Sequence, residues 1–198
     1  AVTGLESGAV TLGLQEGDRV SVRDCLYGLL LKSANEVANG LAEHVGGSIQ
    51  GFADMMNEEA QAIGATNSHF VNPHGLNAEN HYVTAYDMYL IFNEALKYDT
   101  VNEIISMTSY DTVYTDKNGR EKTLSVKNTN QYLAGNVAAP DRVTVIGGKT
   151  GTTSAAGNCL ILLARDTSGN PYIAVILKSA ERGILYTEMN ALLKQATS

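Results

Sequence analysis

The stretch Gly147-Gly148-Lys149-Thr150-Gly151-Thr152-Thr153 constrains the fold more than any other part of this 198-residue chain. A β-branched run, Val143-Thr144-Val145-Ile146, leads into it. Two more strand-like runs follow, Asn158-Cys159-Leu160-Ile161-Leu162-Leu163-Ala164 and Tyr172-Ile173-Ala174-Val175-Ile176-Leu177. Between them, Ser168-Gly169-Asn170-Pro171 has the composition of a tight turn. The spacing predicts a strand carrying a cation near its end, followed by a β-hairpin. Glycines around Lys149 leave room for a ligand to approach the backbone, and Thr150, Thr152 and Thr153 add hydroxyl donors. Such an edge suits an extended, anionic ligand. Taken alone, Lys-Thr-Gly reads better as a solvated lysine on a Gly/Thr-rich strand end, because three residues often match by chance.

The chain before this sheet reads as helical. Residues 1–20 are irregular or weakly β. Ser21-Val22-Arg23-Asp24 is a capping box, and Val22, Leu26, Leu29 and Leu30 fall on one face of a helix reaching about Lys32. Ser33-Ala34-Asn35 interrupts it, with Ser33 on the inward side. Helix resumes with Val37, Leu41 and Val45, and Gly46-Gly47 stops it. Ser48 caps a third helix with Phe52, Met55, Met56 and Ile63 as its buried face. Residues 65–83 form a loop around Asn72-Pro73-His74-Gly75. Thr84-Ala85-Tyr86-Asp87 opens a helix with Met88, Ile91, Phe92 and Ala95 inward, and Thr100 opens a shorter one.

From Tyr110 to Val126 the pattern becomes period two, with Val113 and Leu124 on strands joined across Asp116-Lys117-Asn118-Gly119. Asn128-Thr129-Asn130 begins a polar-then-apolar connection. The C-terminal helix offers Ile184, Met189, Leu192 and Leu193 as its buried face. The expected class is α+β, one domain over 1–198, mainly helical over 21–108 and mainly antiparallel sheet with a C-terminal helix over 109–198.

Apolar residues make up 44% of the chain and charged residues 18%, so a sizeable core is expected rather than disorder. A formal net charge of -7 argues against nucleic acid or an anionic membrane surface as partner. Cys25 and Cys159 both sit in apolar runs and read as buried free thiols, with a disulfide between them left open. His69, His74 and His81 fit no helical metal-ligand spacing, and metal binding there is a minor alternative. The chain opens at Ala1 without an initiator methionine, which leads us to expect a processed or truncated piece. No signal-peptide or transmembrane run occurs in it.

Ser33-Ala34-Asn35 and Lys149-Thr150-Gly151 are far more specific together than apart. In this order they resemble the second and third motifs of the penicillin-recognising serine acyltransferases. Residues 31–42, Leu31-Lys32-Ser33-Ala34-Asn35-Glu36-Val37-Ala38-Asn39-Gly40-Leu41-Ala42, resemble the low-molecular-weight D-alanyl-D-alanine carboxypeptidases. So do Phe70-Val71-Asn72-Pro73-His74-Gly75-Leu76 and Gly148-Lys149-Thr150-Gly151-Thr152-Thr153. The resemblance runs through nearly the whole chain. It implies a penicillin-binding-protein/β-lactamase-like transpeptidase fold and a bacterial, extracytoplasmic hydrolase that removes the terminal D-alanine of peptidoglycan stem peptides. The reaction passes through a serine acyl-enzyme without a cofactor, and β-lactams are ligands of the same site.

By that resemblance Ser33 relays a proton toward the leaving amine, and Asn35 orients the nucleophile's lysine and the substrate amide. Lys149 supplies positive potential and proton transfer. Thr150 bonds a substrate carboxylate, Gly151 lets the substrate lie along the strand, and Thr152 N–H forms half an oxyanion hole. Arg182 matches an arginine near the carboxylate site, and His74 is structural. The plainer alternatives are that Ser33 caps a helix, Asn35 satisfies a turn, and Arg182 pairs with Glu181 or Glu188.

The departure from the pattern is the nucleophile. No serine in the chain is followed three residues later by lysine. The expectation is a fold incomplete at its N-terminus, lacking the Ser-x-x-Lys helix and two strands. A companion chain, the missing segment or self-association would then cover the gap, and the chain alone would be inactive. Two other readings stay open. A class A-like β-lactamase would need a deacylating glutamate on a loop between the two motifs; Glu79 and Glu94 lie in the interval, but neither has a recognisable loop pattern. The other is a non-catalytic module that binds peptidoglycan peptide.

Overall fold

The run Leu160–Ala164 is apolar at every position, and that dictates its place: only a strand covered on both faces can bury consecutive side chains. The computed structural model describes residues 2–196 and puts this run in the middle of a three-stranded antiparallel sheet. The sheet has the order β3-β4-β5, formed by β3 (Val143–Thr153), β4 (Gly157–Asp166) and β5 (Pro171–Ser179). Leu160, Leu162 and Ala164 face α6 (Arg182–Ala196), packing on Leu185, Tyr186, Met189 and Leu193. Ile161 and Leu163 face the other way, onto Phe92 of α4 (Ala85–Ala95) and Ile105 of α5 (Asp99–Ile105). Each of the leucine, isoleucine, methionine and phenylalanine side chains among them stabilises the fold by about 1.5–3 kcal/mol through burial.

A second sheet pairs β1 (Ser109–Thr115) with β2 (Glu121–Lys127) through the expected Asn-Gly turn. Leu124 and Val126 turn inward onto Tyr27, Leu31 and Ile104, while Val113 stays exposed. Helices α1 (Val22–Tyr27), α2 (Asn35–Gly46) and α3 (Ile49–Ala62) form the helical cluster, with α2 packed on α3. The caps are where the sequence places them. Ser21, Ser48 and Thr84 accept from the backbone N–H groups of Asp24, Gly51 and Asp87. Helix α5 begins one residue before the expected Thr100, at Asp99.

Several inward faces differ from expectation. The run after α1 closes as a π-helical turn, Gly28–Lys32, which advances the phase so that Leu31 is fully buried and Leu29 and Leu30 only partly. Val22 and Val45 are exposed. In α3 the tightly packed residues are Ala53 and Ala60, with Met55 exposed, because small side chains let α2 and α3 approach closely. In α6, Leu185 and Tyr186 take the inward places expected of Ile184 and Leu192, which are exposed.

Candidate active site

The interruption at Ser33-Ala34-Asn35 is built by the π-helical turn. Its last turn ends on Ser33 in the left-handed conformation (φ 65, ψ 40), whose N–H donates to the carbonyls of Gly28 and Leu29. A non-glycine residue there is strained by about 1–2 kcal/mol. The helix that follows has Ala34 as its N-cap with no side-chain cap, so Ser33 does not serve as one. Its hydroxyl instead accepts from Lys149 Nζ at 2.8 Å.

Strand β3 carries Lys149 to that point. The ladder shifts register between Val145 and Gly147, a bulge that re-aims the strand end. A side chain at Gly147 would meet the Ile105 carbonyl oxygen at 2.5 Å, so only glycine lets β3 pass α5. The Lys149 amine also donates to the Thr150 carbonyl at 2.8 Å. Burial pushes its pKa down to about 8. Among the described residues no carboxylate lies within ion-pair distance of it.

Asn35 is buried, and its amide joins two loops to the motif. Oδ1 accepts from Val10 N–H at 2.9 Å, and Nδ2 donates to the His74 carbonyl at 3.3 Å. The turn-satisfying role of Asn35 is therefore real, and it coexists with its place beside Ser33. The next residue, Glu36, accepts from the N–H groups of Leu12 and Gly13, which clamps the segment 10–13 over the start of α2.

Ser33, Asn35, Lys149, Thr150, Gly151, Thr152 and Arg182 all line one cavity of about 570 Å³. A side chain added at Gly151 would meet nothing within 4 Å, so the strand is open to the cavity there. The Thr152 hydroxyl donates to Asn158 Oδ1 at 3.3 Å. Arg182 starts α6 and is exposed. It makes no ion pair with Glu181 or Glu188 among the described residues. The cations Lys32, Lys149 and Arg182 line the cavity, and none of its described lining residues is Asp or Glu. In a chain of net charge -7 this is a local inversion of sign.

The sequence singled out some residues that stand elsewhere, and missed others that belong. Glu79 and Glu94 do not line the cavity, and Glu94 pairs with Lys97 at 2.6 Å. His69, His74 and His81 each commit a ring nitrogen to backbone, opposite Asn80 O, Leu76 N and Val71 N. Cys25 and Cys159 are free and half-buried rather than buried. Thr129 is the main omission: its hydroxyl lies 2.6 Å from that of Thr150. Buried Asn128 holds the turn beneath it, donating to Met107 O and accepting from Asn130 N. The polar triplet 128–130 ahead of an apolar run was the available signal.

A family model described as D-alanyl-D-alanine carboxypeptidase matches residues 1–181. The chain belongs to the D-alanyl-D-alanine carboxypeptidase family. Among relatives, it is 33% identical over 188 residues to the D-alanyl-D-alanine carboxypeptidase DacF of Bacillus subtilis, covering 92% of this chain and 45% of that protein. It is also 33% identical over 187 residues to DacC of Escherichia coli, covering 94% of this chain and 43% of that one. The chain thus spans less than half the length of these relatives. The fold matches that of the Streptomyces K15 DD-transpeptidase with a TM-score of 0.81 at 30% identity, over 93% of this chain and 70% of that one. The penicillin-binding-protein/transpeptidase fold expected from the two motifs is therefore the fold of this carboxypeptidase-family chain, present in part.

Proposed function

We propose that this chain is the peptide-binding part of a serine-type D-Ala-D-Ala carboxypeptidase. It takes a peptidoglycan stem peptide along β3, and β-lactams occupy the same groove. The observation that carries the reading is the acid-free cavity in which Lys149 Nζ lies 2.8 Å from Ser33 Oγ beside an open Gly151 edge. A cavity with cations and no carboxylate favours a ligand bearing one. Thr150 and Arg182 bind that carboxylate, Asn35 aligns the peptide amide, and Thr152 N–H supports the oxyanion.

The chemistry is acyl transfer. A serine oxygen attacks the carbonyl between the two D-alanines, the C–N bond breaks, and the leaving amine takes its proton through Ser33 and Lys149. Water then hydrolyses the ester. The attacking serine belongs to a Ser-x-x-Lys motif outside these 198 residues, because no such motif occurs among them. The setting is extracytoplasmic in a bacterium. Among the described residues no helix is long and apolar enough to cross a membrane.

The deciding experiment uses the complete enzyme and its Lys149→Ala variant with a fluorescent penicillin and a D-Ala-D-Ala peptide. The wild type forms a covalent adduct and releases D-alanine, and the variant does neither. Equal acylation of both proteins would remove Lys149 from the mechanism. β-Lactam turnover with no release of D-alanine would favour a β-lactamase.

A further inference from the structure

Side-chain hydrogen bonds join β3, and the turn that follows it, to other segments of the chain at two places. One is the Lys149–Ser33 contact. The other lies past the end of β3, where Asn77 Nδ2 donates to Ser154 Oγ at 2.8 Å. Both residues of the second contact are exposed, and neither lines the cavity, although their neighbours Leu76 and Thr153 do.

Each side of this second contact is held firmly from behind. On the loop side, buried Asn72 donates to Leu76 O at 3.0 Å and accepts from Gly75 N at 2.8 Å. His74 accepts from Leu76 N through Nδ1, and its carbonyl accepts from Asn35. On the hairpin side, Thr153 Oγ1 accepts from Ala156 N at 3.0 Å. Asn158 donates to the carbonyls of Ser179 and Ala180, each at 3.3 Å, while accepting from Thr152. Two braced frames therefore meet in one exposed hydrogen bond.

We propose that the Asn77–Ser154 contact is a bridge that sets the length of peptide the groove accepts. The inference rests on the carboxypeptidase reading above. Five residues of extended strand separate Lys149 from Ser154, a span of roughly 17 Å. A peptide with its carboxylate at Lys149 and its chain along β3 reaches the bridge after about five residues. A shorter peptide fits between the two contacts. A longer one must break the bridge or turn out into solvent. Asn77 and Ser154 are specificity-determining residues in this scheme and touch no reacting atom.

The test compares the complete enzyme with its Asn77→Ala and Ser154→Ala variants. The probes are an N-acetylated tripeptide and an eight-residue peptide, both ending in D-Ala-D-Ala. The expected result is that each variant raises kcat/KM for the long peptide about three- to tenfold, the weight of one hydrogen bond. The tripeptide value and the penicillin acylation rate stay within about twofold. The double variant equals either single one, since both remove the same bond. Parallel changes on the two peptides, or no change on either, would overturn the bridge while leaving the carboxypeptidase reading intact. Failure of the unaltered enzyme to cleave both peptides would instead overturn that reading, and the bridge with it.

Discussion

Lys149 is a cation held at 2.8 Å from a serine hydroxyl with burial as the sole cause of its lowered pKa of about 8. Two consequences follow for the pH response of the complete enzyme. Carboxylate binding weakens as the ammonium is lost, so KM for the peptide rises above about pH 8, and a flat KM between pH 7 and 9.5 would show that the charge does not bind substrate. The second consequence concerns folding. An unfolded lysine titrates near 10.4, so between about pH 8 and 10.4 the unfolded chain binds more protons than the folded one, and stability rises with pH. The gain is at most roughly 3 kcal/mol, and less where water reaches the amine. Urea midpoints at pH 7.5 and 10 measure it: the wild type should gain on a Lys149→Met variant over that interval. Ser33 is the other half of the contact. Ser33→Ala should lower acylation by about two to four orders of magnitude through loss of a proton relay, with cooperative melting retained because Ala34, not Ser33, is the N-cap of α2. Loss of melting with an unchanged specific rate would give Ser33 a purely structural role.

Strand β4 ties the site to the core, since Lys149 pairs across the ladder with Ile161 and Gly148 with Leu162. Leu162 is fully buried between β4 and α6. Leu162→Ala should cost about 2–5 kcal/mol, the transfer term plus a cavity, read as a lowered denaturant midpoint. A cost below about 1 kcal/mol would mean that α6 is not packed on this sheet as described. Elements of this kind were legible in the sequence because their signals are local. The three apolar runs, the Asn-Gly turn and the caps at Ser21, Ser48 and Thr84 each declare an element within a few residues. Inward faces were less legible. A π-helical turn at Gly28–Lys32 shifts the helical phase, and ideal periodicity cannot register that shift. In α3 the contact with α2 selects alanines over Met55, a matter of inter-helix distance that one helix's sequence does not contain. The motif residues of the candidate site were readable as two triplets. Their approach depends on a 116-residue separation closed by tertiary packing. Thr129 escaped because its partner, Thr150, is found only in the folded molecule.

At the scale of the whole molecule, the chain holds a groove lined by Ser33 and Lys149 and has no Ser-x-x-Lys motif in its sequence. Ser33 is the serine placed beside a lysine in this groove, so it is the one to ask whether the 198-residue chain could acylate itself. The proton balance answers against it. With a pKa of about 8, Lys149 is roughly tenfold more often ammonium than amine at pH 7. An ammonium donates to Ser33 Oγ and cannot take its proton, so the hydroxyl is held as an acceptor and not activated. Serine nucleophiles need an adjacent general base, and neither Ser33 nor any other serine in the chain has a lysine three residues on. We therefore expect the purified 198-residue chain to form no covalent adduct with a fluorescent penicillin at pH 7, on denaturing gels or by intact mass. If a Ser-x-x-Lys segment completes this site, as proposed above, adding one in trans should restore labelling, with the adduct on the added segment. The same incubation at pH 9, where the amine predominates, is the severe form of the test. A stoichiometric adduct on Ser33 at that pH would make Ser33 and Lys149 a nucleophile–base pair in their own right and would displace the relay role argued for Ser33.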